Sequence, residues 1–201
     1  MTDPGRARGA YAKTAGRRTE ILEAGIEVFS TSGFRSGSIR EIAERVGMSQ
    51  AGLLHHFSNK NELLAGVLSL RDDRAREIVR PETEPGVDTL REMIRLTAYN
   101  ATVPGLVELH CVLSAEATSP DHPAHNYFVD RYAFVTGLLV DAFRRIEADC
   151  QLAAGQTPES ASRGVIAFSD GLQVQWLLDR NSVSMADEMH RYIQLLVLTE
   201  V

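Results

Sequence analysis

The chain of 201 residues is predicted to be all-α, and three observations carry that prediction. Apolar residues recur at i, i+3, i+4 and i+7 rather than alternating, so the periodicity is helical. Helix-start signals stand ahead of the periodic stretches, as in Ser38-Ile39-Arg40-Glu41 and in Asn59 to Glu62. Prolines fall between the stretches or at their starts rather than inside them. No convincing strand and no internal repeat is found. The pattern resolves into about nine helices: a three-helix N-terminal head, then a C-terminal helical bundle.

Taken in order, residues 1–13 are rich in Gly, Ala and Arg and are expected as a flexible basic arm. The first helix should run from about Thr14 to Ser32, burying Ile21, Leu22, Gly25, Val28 and Phe29, with Gly33 ending it. Ser38 opens the second. Its hydroxyl can accept from the N–H of Glu41, whose carboxylate can reach back to the N–H of Ser38. Ile39, Ile42, Ala43 and Val46 then form one stripe, and Gly47 is placed to end the helix in a left-handed conformation. Ser49 caps a third helix through about His56. Asn59 opens a fourth, which should reach Arg80 before Pro81.

Pro81, Pro85 and Gly86 mark a loop. The fifth helix is about Val87–Thr102, with Leu90, Met93, Ile94, Thr97 and Ala101 inward. The sixth runs from Pro104 to about Thr118. The seventh runs from about Pro123 to Cys150, with Phe128, Val135, Leu138, Leu139, Ala142 and Phe143 on its buried face. Thr157 caps the eighth, with Pro158 at the first helical position, and it should reach about Arg180. Ser184 caps the ninth, expected to continue to the C-terminus. The division that follows is the arm 1–13, a head at 14–62 and a helical bundle at 63–201.

The net charge of −6 at first disfavours a nucleic-acid partner. It is unevenly spread. Residues 1–65 hold nine Lys/Arg against seven Asp/Glu, whereas the remainder holds twelve against twenty. A basic end on an acidic body suits oriented docking on DNA. No apolar run has membrane-spanning length, and the N-terminus lacks the apolar segment of a secretory leader. Cys111 and Cys150 form no CxxC pair, which is the usage of reduced intracellular thiols. A cytoplasmic protein without cofactor or bound metal is expected.

The segment from Ser38 to Lys60, SIREIAERVGMSQAGLLHHFSNK, has the helix–glycine turn–helix pattern whose second helix enters the DNA major groove. Together with RTEILEAGIEVFSTSGF before it, and up to Leu64, it resembles the tetracycline repressor (TetR) family of bacterial transcription regulators over roughly the first third of the chain. The rest matches only in helix count and at Ser169-Asp170-Gly171-Leu172. The resemblance implies the following contacts. Arg40 reaches a base edge or phosphate, and Gln50 reads a base, an arrangement in which Gln can pair bidentately with adenine. Ala51 and Gly52 approach the groove closely. His56 and Lys60 touch the phosphate backbone, and Ser38 with the helix start beside it offers N–H groups to a phosphate. Leu54 departs from the family's usual tyrosine, so His55 beside His56 is expected to take over part of that contact.

The resemblance also implies an effector site inside the bundle. Candidates are Tyr99, His110, Tyr127, Phe128, Tyr132 and Trp176, although aromatics at helical spacing are more often plain core. Glu108, His110 and Cys111 stand at positions that face different ways on a helix, so a shared metal ion is disfavoured. Asp121, His122 and His125 are accounted for by a loop and a helix start. Apolar stripes at Val165, Phe168, Leu172 and Gln175, and at Tyr192, Leu195, Leu196 and Thr199, suggest a homodimer interface built from the last two helices.

The reading is a ligand-responsive DNA-binding regulator, a repressor released from its operator by a small amphipathic or aromatic effector. The rivals are an enzyme built on a helical bundle and a constitutive DNA-binding protein with a filled core. Against the first, there is no Gly-rich phosphate loop, no H-E-x-x-H and no nucleophile elbow. Against the second, a cavity of ligand size would count.

Overall fold

The computed structural model describes residues 4–79 and 85–201, with side chains from residue 15 onward. Among the described residues the helices are α1 (Pro4–Ser36), α2 (Ile39–Arg45), α3 (Gln50–Leu54), α4 (Lys60–Ile78), α5 (Val87–Thr102), α6 (Pro104–Glu116), α7 (His125–Ala148), α8 (Pro158–Leu178) and α9 (Met185–Gln194). The expected fourth-helix end at Arg80 and the loop start at Pro81 lie outside the described residues.

Two boundaries differ from expectation in instructive ways. The backbone of residues 4–13, expected as a flexible arm, is helical and continues α1. Pro4 suits a first helical turn, and the alanines and arginines that follow are good helix formers. At the other end, α9 stops at Gln194 instead of running to the C-terminus. Val197 pairs with Leu152 in a single antiparallel bridge. The N–H of Ala153 donates to the carbonyl of Leu196 at 2.9 Å, and that of Leu198 to the carbonyl of Gln151 at 2.7 Å. Gln194 holds the tail, its amide donating to the carbonyl of Thr199 at 2.9 Å and accepting from the N–H of Val201 at 3.2 Å.

Gly33 breaks α1 with φ 71°, and a Cβ there would run into the Glu116 carboxylate. Glycine is therefore required twice over, by backbone conformation and by space. Gly25 and Gly66 do a related job at the α1–α4 crossing. A Cβ on Gly25 would meet Val67 at 2.7 Å, and one on Gly66 would meet Leu22 at 2.8 Å.

One buried cluster joins α1, α2, α3 and the start of α4 to α6, through Phe29, Phe57, Leu63, Leu64, Leu109 and Leu113. The division drawn at residues 62 and 63 therefore falls inside α4, whose first turns belong to the core of the head. A second cluster unites α5, α7, α8 and α9 around Leu90, Leu139, Phe143 and Met189. A third, with Val107, Leu172, Trp176 and Met185, closes the α6–α8–α9 corner. Leu138, expected inward on α7, is exposed, because its neighbour Leu139 takes the buried direction.

Candidate nucleic-acid interface and effector cavity

The head is built from short-range devices. Ser38 accepts from the N–H of Glu41 at 3.1 Å, and Ser49 from that of Gly52 at 3.1 Å. The other half of the expected box at Ser38 does not form, because the Glu41 carboxylate pairs with Arg45 at 3.2 Å. At α4, Asn59 accepts from Glu62 at 2.9 Å, and Glu62 returns to the N–H of Ser58 at 2.7 Å rather than to Asn59. That bond lowers the carboxyl pKa of Glu62. Gly47, with φ 65°, ends α2 in a Schellman motif: its N–H reaches Glu44 O at 3.1 Å, and that of Met48 reaches Ala43 O at 2.9 Å.

Two arginines missed by sequence reasoning clamp this unit to α1. Arg17 donates to the carbonyl of Val46 at 2.7 Å, satisfying the end of α2. Arg18 donates to the carbonyl of His56 and lies 4.0 Å over the Phe57 ring, satisfying the end of α3. Their adjacency just ahead of an apolar stripe was the available signal. It reads equally well as basic charge for DNA.

Of the residues assigned to DNA contact, Ser38, Arg40, Gln50, Ala51 and His55 are exposed, and Gly52 and His56 are half-buried. Ser38 and Arg40 flank the start of α2, while Gln50, Ala51 and Gly52 fill the first turn of α3. Arg40 stands 3.5 Å from Glu44, an exposed pair of little energetic weight. Lys60 is placed differently from the expectation. Its Nζ donates to the carbonyl of Arg35 at 3.3 Å and lies 4.5 Å over the Phe34 ring. Burial lowers its pKa. Lys60 thus braces the end of α1 against the start of α4, and a phosphate contact would have to compete with that bond.

Below this point the head is stitched to the body. Glu116, at the C-terminal end of α6, accepts from the N–H of Phe34 at 2.8 Å, just past the break in α1. His122 lies 3.3 Å from the same oxygen, but it is poorly aligned for a hydrogen bond, and burial lowers its pKa in spite of the carboxylate. His125 anchors the loop through Nδ1 on the carbonyl of Ala117 at 2.8 Å.

A cavity of about 100 Å³ lies between α4, α5, α6, α7 and α8, lined among others by Arg71, Met93, Asn100, His110, Arg131, Tyr132, Ile166 and Asp170. Only His110 and Tyr132 of the six expected pocket residues line it. Phe128 and Trp176 are buried in core clusters, and Tyr99 and Tyr127 pack on the first of these. The bland reading of aromatics therefore holds for four of the six. The polar lining was legible only at His110. Asp170 accepts from the Tyr132 hydroxyl at 2.7 Å and faces His110 Nε2 at 3.3 Å, contacts that hold its pKa down against burial. Desolvation lowers the His110 pKa against the pull of Asp170. Glu108 turns away to Arg180 at 2.6 Å. Cys111 is raised to about 11, mainly by burial and further by Asp170, which leaves an unreactive thiol.

The expected dimer residues also divide. Val165, Leu172 and Leu196 are buried in the chain's own core, and Phe168 stacks on Tyr192 at 4.3 Å. Gln175 and Leu195 are exposed. The large apolar side chains left outside are Val129, Phe134 and Leu138 on α7, Val174 and Leu178 on α8, and Leu195 and Leu198 near the C-terminus. No helix among the described residues is long and apolar enough to cross a membrane.

Residues 21–67 match the family model described as bacterial regulatory proteins, tetR family. Along most of its length the chain is similar to the HTH-type transcriptional regulator TtgR of Pseudomonas putida, at 25% identity over 187 residues, covering 88% of this chain and 87% of the relative. It is 30% identical over 130 residues to the HTH-type transcriptional repressor KstR2 of Rhodococcus jostii, covering 62% and 58% of the two chains. A solved transcriptional regulator from Rhodococcus sp. Rha1 shares the fold with a TM-score of 0.72 at 18% identity, over 92% of this chain and 99% of that one. With its capped helix-turn-helix on a helical bundle, the chain carries at residues 21–67 the domain described as bacterial regulatory proteins, tetR family, and is similar to transcriptional regulators along most of its length.

Proposed function

We propose that the protein is a homodimeric repressor whose hold on operator DNA is set by a small molecule in the α4–α8 cavity. One observation carries the reading. The cavity is walled by the two helices that also hold the head: Arg71 lines it from α4 and His110 from α6. Six residues beyond His110, Glu116 grips the end of α1, while Asn59 and Glu62 pin the start of α4 beside α3. A ligand that moved α4 or α6 would therefore move the recognition helix. The relatives named as transcriptional regulator and transcriptional repressor support the regulatory role and its sign. A constitutive binder with a filled core is disfavoured by the cavity, and an enzyme by relatives that are regulators. Work on DNA places the protein in the cytoplasm.

Two recognition helices must reach successive major-groove faces about 34 Å apart, which calls for a two-fold dimer. Its interface is best supported on the outer faces of α7 and α8, with Phe134, Leu138, Val174, Gln175 and Leu178, and not on the buried Val165 and Leu172. Gly137 and Gly171 have open space where a Cβ would stand, so a partner helix could approach closely. Selection of bound fragments from host genomic DNA would supply the operator. Ligands found by thermal shift should then weaken operator binding, and operator should weaken ligand binding by the same factor. Leu178→Glu should leave a folded monomer with little operator affinity. Independent affinities for ligand and operator would leave a constitutive DNA binder, and an unchanged dimer would move the interface elsewhere.

A further inference from the structure

The lining of the cavity is chemically lopsided. Met93, Leu96, Val135 and Ile166 give it apolar walls. Against these stand two guanidinium groups, Arg71 of α4 and Arg131 of α7, with side chains only 12% and 20% exposed. Shielded cations are costly unless well matched. Here both share one acceptor. Asp72 Oδ1 takes Arg71 at 3.2 Å and Arg131 at 2.8 Å, and also accepts the Tyr127 hydroxyl at 3.0 Å. Each guanidinium carries five N–H donors, and this one bond occupies a single donor of each. The acid lining the cavity, Asp170, faces Tyr132 and His110 instead. The site therefore has donors in excess of acceptors.

We propose that the cavity takes a small organic acid, its carboxylate held by Arg71 and Arg131 and its apolar body lying against Met93, Leu96, Val135 and Ile166. This deepens the effector reading and rests on it. A planar carboxylate matches the guanidinium fork and can accept from both arginines at once. A dianion such as a phosphate monoester is disfavoured relative to a carboxylate, because its second charge would face Asp72 and Asp170 at close range. The volume of about 100 Å³ is below the roughly 150 Å³ of an engineered cavity that holds benzene, so the acid is a small one, its body no larger than a single ring or a short alkyl chain. Held by the donors that Asp72 leaves unused, such a ligand would add a second bridge between α4 and α7 and so shift how the two helices pack.

The test uses the full chain and matched pairs at equal ionic strength: benzoate with benzamide, phenylacetate with phenylacetamide, hexanoate with hexanamide. Calorimetry gives affinity, and mobility shift on the selected operator gives release. At least one acid should bind about tenfold or more tightly than its amide. Arg131→Gln and Arg71→Gln should erase that difference while leaving the amide unaffected. Should either variant fail to fold, the acid–amide ratio on the unaltered protein decides alone. Amides that bind as well as acids would overturn the acid class and leave the effector reading intact, as long as they also release DNA. Failure of every acid to bind at millimolar concentration would overturn the proposal. Acids that bind selectively without affecting operator affinity would uphold the acid class and sink the effector reading.

Discussion

The head and the cavity use polar groups in opposite ways. In the head they hold the backbone still. Arg17 and Arg18 satisfy the ends of α2 and α3, Ser38, Ser49 and Asn59 satisfy the starts of α2, α3 and α4, and Gly47 closes α2 with paired bonds. Around the cavity the polar groups are left under-committed. His110 Nδ1 is buried without a partner, and two arginines divide one carboxylate oxygen. The release proposed above needs a head held in one shape and a cavity that can rearrange, and these two patterns of polar contact suit that division into reader and sensor. Only an element with two accessible arrangements can be biased by a ligand.

The largest test of this contrast is packing. Phe57 is fully buried between α1 and α4, and Phe57→Ala should destabilise by about 3–5 kcal/mol in denaturant unfolding. Ile166 lines the cavity and is only partly buried, so Ile166→Ala should cost under about 2 kcal/mol. Equal costs would mean that the sensor is packed as tightly as the reader.

The seam between the two regions comes next. Glu116→Gln keeps an acceptor for Phe34 N–H but removes the charge beside His122 and Lys60. Glu116→Ala leaves that N–H unmatched, at about 1–3 kcal/mol. If α6 transmits the signal, Ala should reduce the ligand's effect on operator affinity more than it reduces ligand affinity itself. Parallel losses would assign transmission to α4.

Within the reader, base and backbone contacts should separate. Gln50→Ala should cost roughly 1–3 kcal/mol on the selected operator and relax preference at one base pair. Lys60→Ala, which in a phosphate role would flatten the salt dependence by about one unit, should do less than that. Its ammonium is already held by Arg35 O and the Phe34 ring. A full unit of change in slope would show that Lys60 leaves α1 on binding DNA.

How far the sequence could be read follows the same divide. The head was legible because its determinants are local. A Ser three residues before a Glu, or a Gly after an apolar stripe, decides backbone geometry within one turn. The cavity was not, because five helices contribute to it and nothing in the spacing of Arg71, Arg131 and Asp170 says that they converge. Phe128 and Trp176 answered to the core rather than to a ligand. On α8, apolar residues occupy more than one face. The stripe through Val165 and Leu172 went to the chain's own core, leaving Val174 and Leu178 outside.

The smallest expected effect concerns pH, and it too separates sensor from reader. His110 and His122 lie on α6 and in the loop after it, and burial lowers the pKa of each. In the unfolded chain these imidazoles take up a proton near pH 6.5. In the folded protein they resist it, so below that pH the unfolded state binds more protons. Stability should therefore be unaffected by these groups above about pH 7 and should fall as pH drops through 6.5 toward their lowered folded values. Each contributes a slope of at most about 1.4 kcal/mol per pH unit. Asp170 acts in a separate, more acidic window. Its carboxyl is lowered in the fold, and its contribution is lost only below the ordinary carboxylate range. Urea unfolding at pH 7.5 and 5.5 measures the difference. His110→Gln should shrink it, since glutamine takes up no proton in either state. An undiminished pH dependence in that variant would move its origin to His122 and the head–body seam, and the strained protonation equilibrium would then belong to the joint rather than to the sensor.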